Sequence, residues 1–280
     1  MFEHVLIAVD GSACASRSAQ AGIALAAASG GQVTAVAAAH GELDEAAARA
    51  ALDEVESFGE DAGVAVTTHV VSTPPAQSIV NLADEVDAGL IVMGRHGNTG
   101  LRDRLFGSVT NRVLRTADTH VLTVPGGESP VSDFETILLP TDGSEAASTA
   151  VAPAADLADQ YGAALHLLRV VDVRQEAGPF SAGGVDQAYV DDLLERELAS
   201  LGDLADEYAT LAGDGVTFEQ ATRAGTPSEG ISEYVDEHDV DLVVMASTGE
   251  SSLAGQLLGS TTDRVLRLVD QPVLVVNPNR

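Results

Sequence analysis

Gly94, Gly97, Gly107 and Ser108 follow the spacing Gly-x2-Gly-x9-Gly-Ser, a pattern suited to holding an anion on bare main chain. Gly94 and Gly97 let a backbone approach a phosphate or ribose with no Cβ in the way, and both tolerate positive φ. A helix that begins at Gly107 leaves the N–H groups of Gly107, Ser108 and Val109 without intrahelical acceptors, at the positive end of the helix dipole and beside the Ser108 hydroxyl. Asp10 joins this chemistry if the topology brings it close, because its carboxylate accepts from a ribose hydroxyl or a base amino group. Charge marks the same segment. Between Gly94 and Ala117 stand Arg95, Arg102, Arg104, Arg112 and Arg115, against the lone acid Asp103. Glycines after strands are often plain turn formers, and helical arginines often pair with acids. The complete spacing with its basic surplus favours a phosphate seat over that reading.

Other chemistries lack their residues. No Gly-x4-Gly-Lys-Ser/Thr loop occurs; the chain has no Lys at all, every one of its 14 basic residues being Arg. No HExxH motif or cysteine cluster marks a metal site, and no Gly-x-Ser-x-Gly elbow marks a serine hydrolase. The 7 histidines are scattered, and of them only His96 lies in the glycine loop, where phosphate contact and simple solvation are both open readings. His40 suits a structural role at the same edge. Turnover is therefore not expected.

The elements that must position this loop come in two copies. HVLIAVDGSACAS recurs as TILLPTDGSEAAS, aligning Asp10-Gly11-Ser12 with Asp142-Gly143-Ser144. LIVMGRHGNTGLRDRLFGSVTNRVLRTADTHVLTVP recurs as LVVMASTGESSLAGQLLGSTTDRVLRLVDQPVLVVN, with about 20 more residues between the two anchors in the second copy. The surplus is expected around Asp172 to Tyr189, where Gly178-Pro179 and Gly183-Gly184 signal a loop. Gly126 to Asp133 reads as the linker, giving domains over 1–126 and 134–280 joined by 127–133.

Each copy alternates short apolar strands with helical periodicity. Strands are expected near Val5 to Asp10, Val33 to Ala39, Val64 to Val71, Leu90 to Met93 and Val121 to Val124, with helices beginning near Ser12, Asp44, Pro75 and Gly107. In the second copy they are expected near Thr136 to Thr141, Leu165 to Val171, Val216 to Ala221, Leu242 to Ala246 and Val273 to Val276. A long helix there carries Leu194, Leu198, Leu201, Ala205 and Tyr208 on its sheet-facing stripe. The fold class is α/β: two tandem, doubly wound, Rossmann-like domains, each a five-stranded parallel sheet with helices on both faces. Ligands in such sheets settle beyond the carboxyl ends of strands where the winding reverses, which is where Asp10 and Gly94 fall.

Composition narrows the setting. Of the 280 residues, 43 are acidic, and the formal charge of −29 disfavours nucleic acid and anionic membranes. With acids dispersed instead of blocked, the composition resembles that of proteins from salt-in halophiles. Cys14 stands alone, which excludes an intramolecular disulfide and points to a reducing compartment; it reads as a small packed residue in preference to a reactive thiolate. The N-terminus has no signal-peptide pattern and no apolar span is long enough for a membrane helix, so a cytoplasmic location is expected.

These motifs resemble the universal stress proteins, in particular their ATP-binding branch, over nearly the whole chain as two copies. The resemblance implies an adenine pocket lined by Ala8, Val9 and Asp10 with Ala38, the ribose near Met93 and Gly94, and the phosphates around Arg95, His96, Gly97, Gly107, Ser108 and Val109. It implies ATP, ADP or AMP as ligand, with Mg²⁺ as an accompanying ion, and a regulatory stress-response role with protein partners still to be identified. Because the family pairs through its last strand, it also implies that Val121 to Val124 and Val273 to Val276 join the halves as an intramolecular pseudo-dimer, and it leaves a further homodimer open. The second copy keeps Pro140, Thr141, Asp142, Val170, Met245, Gly249, Gly259, Ser260 and Thr261, but has Ala246 where the first has Gly94. A Cβ there either blocks a ligand or displaces it. A nucleotide-independent interaction scaffold is the competing reading, and slow ATP hydrolysis with Arg95 or His96 steadying the phosphates is a weaker one.

Overall fold

The computed structural model describes residues 2–40, 43–96, 107–127, 131–173, 186–212, 216–248 and 258–278. The chain divides into two compact units, Met1–Asp133 together with Asp270–Arg280, and Phe134–Val269.

The first unit runs β1 (His4–Val9), α1 (Ala13–Ala28), β2 (Gln32–Ala38), α2 (Glu45–Ala62), β3 (Val66–Val71), α3 (Pro75–Glu85), β4 (Leu90–Gly94), α4 (Ser108–Thr116) and β5 (His120–Val124). Its strands are parallel in the order β3-β2-β1-β4-β5, with Ala8 opposite Met93 and Gly94 opposite Val124. The chain leaves β1 toward β2 and returns on its other side as β4, so the winding reverses between β1 and β4. Val5, Leu6 and Ile7 are fully buried, as expected of a strand covered on both faces. The scarcity of bulky side chains has a direct use here. A Cβ on Gly22 of α1 would stand 2.7 Å from Ile7 Cδ1, so the helix lies on the sheet at a distance that only glycine allows.

The second unit runs β6 (Thr136–Pro140), α5 (Glu145–Ser148), α6 (Val151–Tyr161), β7 (Ala164–Val171), α7 (Gln187–Ala212), β8 (Glu219–Ala224), α8 (Pro227–Glu237), β9 (Leu242–Ala246) and α9 (Ser260–Leu268). Its parallel strands follow the order β9-β6-β7-β8. The fifth strand of the second repeat, β10 (Val273–Val276), belongs with the first unit. It lies antiparallel to β5, with Val273 opposite Thr123 and Val275 opposite Val121. Asn277 fastens it. Its main-chain N–H donates to His120 Nδ1 at 3.1 Å, and its Nδ2 donates to the carbonyls of Ala117 at 3.0 Å and Thr119 at 2.8 Å.

Two sequence expectations need correction. Strand β8 occupies Glu219–Ala224 instead of Val216 to Ala221, because apolar Val216 and Phe218 precede a strand whose own residues are largely polar and half exposed. On α7 the sheet-facing stripe holds at Leu201, Ala205 and Tyr208, but Leu198 is 40% exposed and Leu194 only half-buried, while Leu193 is buried in its place. The expected surplus loop around Gly178-Pro179 and Gly183-Gly184 lies outside the described residues. Among the described residues no helix is long and apolar enough to cross a membrane, and no group of three or more His, Cys, Asp or Glu is placed to hold a metal.

The second unit also holds a titratable cluster around buried His166 and Tyr234. His166 Nδ1 and the Tyr234 hydroxyl are 2.9 Å apart, His166 Nε2 lies 3.4 Å from Glu219, and His238 stacks on Tyr234. Burial lowers the pKa of His166, opposed by Glu219 and aided to a smaller extent by His238. The folded state thus resists a proton that the unfolded chain accepts below its ordinary value near 6.5. Stability contributed by neutral His166 is intact above that pH and is lost as the pH falls through it. Thermal melts of the full chain between pH 7.5 and 5.5 are expected to show a decline that His166→Asn flattens; equal slopes would refute this.

Candidate functional site

The carboxyl ends of β1, β2 and β4 meet at one edge of the first unit. Ala8, Val9 and Met93 are buried there, whereas Asp10, Ala38 and Gly94 are half-buried. The Asp10-Gly11-Ser12 turn explains why those three types occur together. Asp10 Oδ1 accepts from Ser12 N–H at 3.1 Å, Gly11 sits at φ +75°, and Ser12 Oγ caps α1 by accepting from Ala15 N–H at 3.1 Å. One oxygen of the Asp10 carboxylate is therefore already used by the turn. Asp142-Gly143-Ser144 repeats this with distances of 3.0 and 3.1 Å and Gly143 at φ +79°.

Helix α4 starts where the spacing predicts, and its start is tied to the strand end. Thr110 Oγ1 donates to Gly94 O at 2.9 Å, and Thr262 Oγ1 does the same to Ala246 O at 3.0 Å in the second unit. This threonine was not among the expected residues, although both copies carry it in the same place of GSVTNRVL and GSTTDRVL. No acidic residue stands in the first turn of α4.

Several details differ from the sequence reading. The N–H of Gly107 is not open to a ligand, because it donates to Arg95 O at 3.1 Å; Ser108 and Val109 remain as first-turn donors. Arg95 is 3% exposed and its Nη2 donates to Gln271 O at 2.7 Å, so its charge serves the chain's own fold. Burial lowers its pKa to about 10, which leaves it protonated at neutral pH. His96 is half-buried, and burial followed by the nearby Arg95 lowers its pKa, so near neutrality it offers a hydrogen bond in place of a charge. Gly94 is not in the left-handed region. A Cβ on it would stand 3.0 Å from Cys14 Sγ and 3.2 Å from Ala15 N, so its hydrogen is needed by the start of α1. Cys14 itself is half-buried and donates to Val124 O at 3.3 Å. Gly97, Arg102 and Arg104 lie outside the described residues, as does Gly249.

The second unit contains a cleft of about 700 Å³ at the equivalent edge. Pro140, Thr141 and Asp142 form the wall from β6, and Val170 the wall from β7. Met245 and Ala246 line it from β9, and Gly259, Ser260 and Thr261 from the start of α9. Every second-copy residue nominated from sequence that falls in the described segments is thus gathered there. Ala246 lines the cleft without filling it. The helix corresponding to α1 breaks after four residues as α5 and resumes as α6.

Arg169 and Glu197 are among the lining residues that were missed. Arg169 Nη2 donates to Asp142 O at 3.0 Å, and its Nε lies 3.3 Å from Glu197 of α7. The signal was present as an arginine inside the apolar strand ALHLLRVV, where the first copy has Ala37. Tyr208 supports the same wall: its hydroxyl pairs with Thr141 Oγ1 at 3.0 Å, and burial raises its pKa.

Comparison with known proteins places this architecture. The profile of the Universal stress protein family matches residues 1–125 and 133–277. A universal stress protein of Methanocaldococcus jannaschii is 31% identical over 147 residues, 51% of this chain and 82% of that one. Another, from Mycolicibacterium smegmatis, is 28% identical over 244 residues, covering 85% of this chain and 79% of its own. The crystal structure of a universal stress protein from Archaeoglobus fulgidus superposes with a TM-score of 0.75 over 99% of both chains at 20% identity, a likeness of fold.

Proposed function

Because the chain belongs to the universal stress protein family, we propose that it is an adenine-nucleotide-binding regulatory protein, with ATP seated in the first repeat on the loop from Gly94 to Val109. The observation that carries this reading is the meeting of the carboxyl ends of β1 and β4 beside the start of α4 in the first unit, and a cleft at the equivalent sheet edge of the second unit supports it. The first unit brings Ala8, Val9, Asp10, Ala38, Met93 and Gly94 to the equivalent edge and starts α4 beside them. Ser108 and Val109 supply the anion-facing amides, and Arg112, exposed on α4, supplies charge. Occupancy alters the surface that protein partners meet, with no turnover required. The acidic surface suits high salt, in which its repulsion is screened.

Calorimetric titration of the full chain with ATP and Mg²⁺ in molar KCl is expected to give saturable binding. Absence of heat and of any adenine nucleotide co-purifying in high salt would leave the scaffold reading in its place.

A further inference from the structure

Strand β3 ends the sheet of the first unit, with β2 as its strand neighbour. β2 is buried along most of its length, whereas no residue of β3 is. The ladder between them fixes which way the β3 main chain points. Val33 N–H donates to Ala65 O at 2.9 Å and Ala39 N–H to Val71 O at 2.7 Å, in the parallel register that sets Val33 opposite Val66 and Ala38 opposite Val71. Strand geometry repeats every two residues, so the odd-numbered positions turn their main-chain groups to β2, and Val66, Thr68 and Val70 turn theirs outward. Those three side chains share the face covered by α2: a Cβ on Gly59 would meet Val66 Cγ2, and Thr68 Oγ1 donates to Glu56 Oε1 at 3.0 Å.

An open edge of this kind is normally guarded by charge, proline or a bulge. The edge strand of the second unit follows that rule. β8 carries Glu219 and Arg223, the latter paired with Glu233 and Glu237, and its Thr222 donates to Leu194 O of α7 at 3.3 Å. β3 reads VTTHVV, with no acid, no arginine and no proline, in a chain with 43 acids. β5, the other outer strand of the first repeat, already has β10 beside it.

The outward row of β3 is the same in both directions. An antiparallel copy centred on Thr68 sets Thr68 against Thr68 and Val66 against Val70, with each outward N–H meeting a C=O. Helix α2 is repeated across the same axis. Ser16 Oγ donates to Glu54 at 2.7 Å on the α1 side of this helix, so Glu56, and with it Arg49, Asp53 and Glu60 at helical spacing, lie on the flank toward the open edge. Two-fold symmetry reverses that row, bringing Arg49 of one copy toward Glu60 of the other and leaving both Glu56 carboxylates beside the axis. The contact is complementary at its ends and repulsive at its centre, and molar salt screens the repulsion.

We propose that β3 is a self-association edge, through which two copies of this chain pair antiparallel about Thr68 into one continuous sheet in high salt. The proposal stands apart from nucleotide binding. An extended basic segment of another protein is the rival occupant, and salt separates the two: screening strengthens the pairing of acidic copies and weakens capture of a basic segment.

Sedimentation equilibrium of the full chain without nucleotide, at the lowest KCl that keeps it folded and again in molar KCl, is the test. A monomer–dimer equilibrium is expected, with an association constant that rises about tenfold or more with salt. Glu56→Gln keeps an acceptor for Thr68 and removes the central charge, so it should recover much of that rise at low salt. Thr68→Pro removes an N–H that β2 does not use and should leave a folded monomer at either salt. Under mild oxidation in molar KCl, Thr68→Cys should link to its mate at least about tenfold faster than Thr67→Cys, whose side chain lies on the opposite face and off the axis. The unaltered chain reports the background from Cys14, and this comparison decides the matter if the proline variant fails to fold. A chain that stays monomeric in molar KCl, a dimer that survives Thr68→Pro, or equal linking of the two cysteines would overturn the proposal. Association that falls as salt rises would overturn it too.

Discussion

Gly107→Asp is expected to weaken ATP binding to the chain by about 100-fold while leaving its melting temperature unchanged or slightly raised. Gly107 is the N-cap of α4 at φ −55° and ψ 138°, a conformation open to any residue, so its glycine is not there for backbone freedom. Aspartate is among the best N-cap residues and is worth a few tenths of a kcal/mol over glycine, through acceptance from the first-turn amides. That same carboxylate occupies the donor of Val109 or Thr110 and sets a negative charge beside the phosphates. A like charge at about 4 Å costs on the order of 3 to 4 kcal/mol at an effective dielectric near 20, hence the large loss of affinity. Paired calorimetric titrations and thermal melts check both halves of the result. Retained ATP affinity would show that the phosphates sit elsewhere, and a fallen melting temperature would show that Gly107 is structural.

Ending the chain at Val269 is expected to cost the first unit most of its stability, although every residue removed follows the second repeat's last helix. Val273, Leu274, Val275 and Val276 are each at most 1% exposed, and their strand lies against β5. At about 1.5 to 3 kcal/mol per buried side chain, their loss removes up to about 10 kcal/mol, comparable to the whole stability of a domain. Gln271 and Asn277 go with them, so the buried Arg95 guanidinium and the carbonyls of Ala117 and Thr119 lose partners in the same step. Hydrogen exchange is the discriminating measurement. Amides of β4 and β5 should lose protection while those of β6 and β7 largely keep theirs, and a peptide spanning 270–280 should restore part of it. A shortened chain melting within a few degrees of the full one would refute this.

Much of this was legible in the residues because each signal had a local cause. Ser12, Asp44 and Gly107 stand as N-caps where capping chemistry placed them, and the unbroken apolar runs became strands buried on both faces. What escaped the reading depended on partners far away in the chain. The role of Arg95 is set by a carbonyl 176 positions later, and that of Gly94 by the close approach of Cys14 and Ala15. Neither spacing nor composition reports such contacts, so a buried structural guanidinium looked like a phosphate ligand and a packing glycine looked like a ligand gate. Arg169 was visible as a charged residue in an apolar strand, but its meaning came only from the carboxylate that α7 brings to it.

The exchange of the final strand has a consequence for how the polypeptide is made. Residues 1–133 leave the ribosome first, yet the segment that completes their sheet is assigned to positions 270–280. At about 5 to 20 residues per second, the newborn first half waits on the order of ten seconds with β5 lacking its antiparallel neighbour. Through that interval a bare, apolar hydrogen-bonding edge is exposed in a crowd of identical nascent chains. The dense acidic charge supplies repulsion between such chains over that interval.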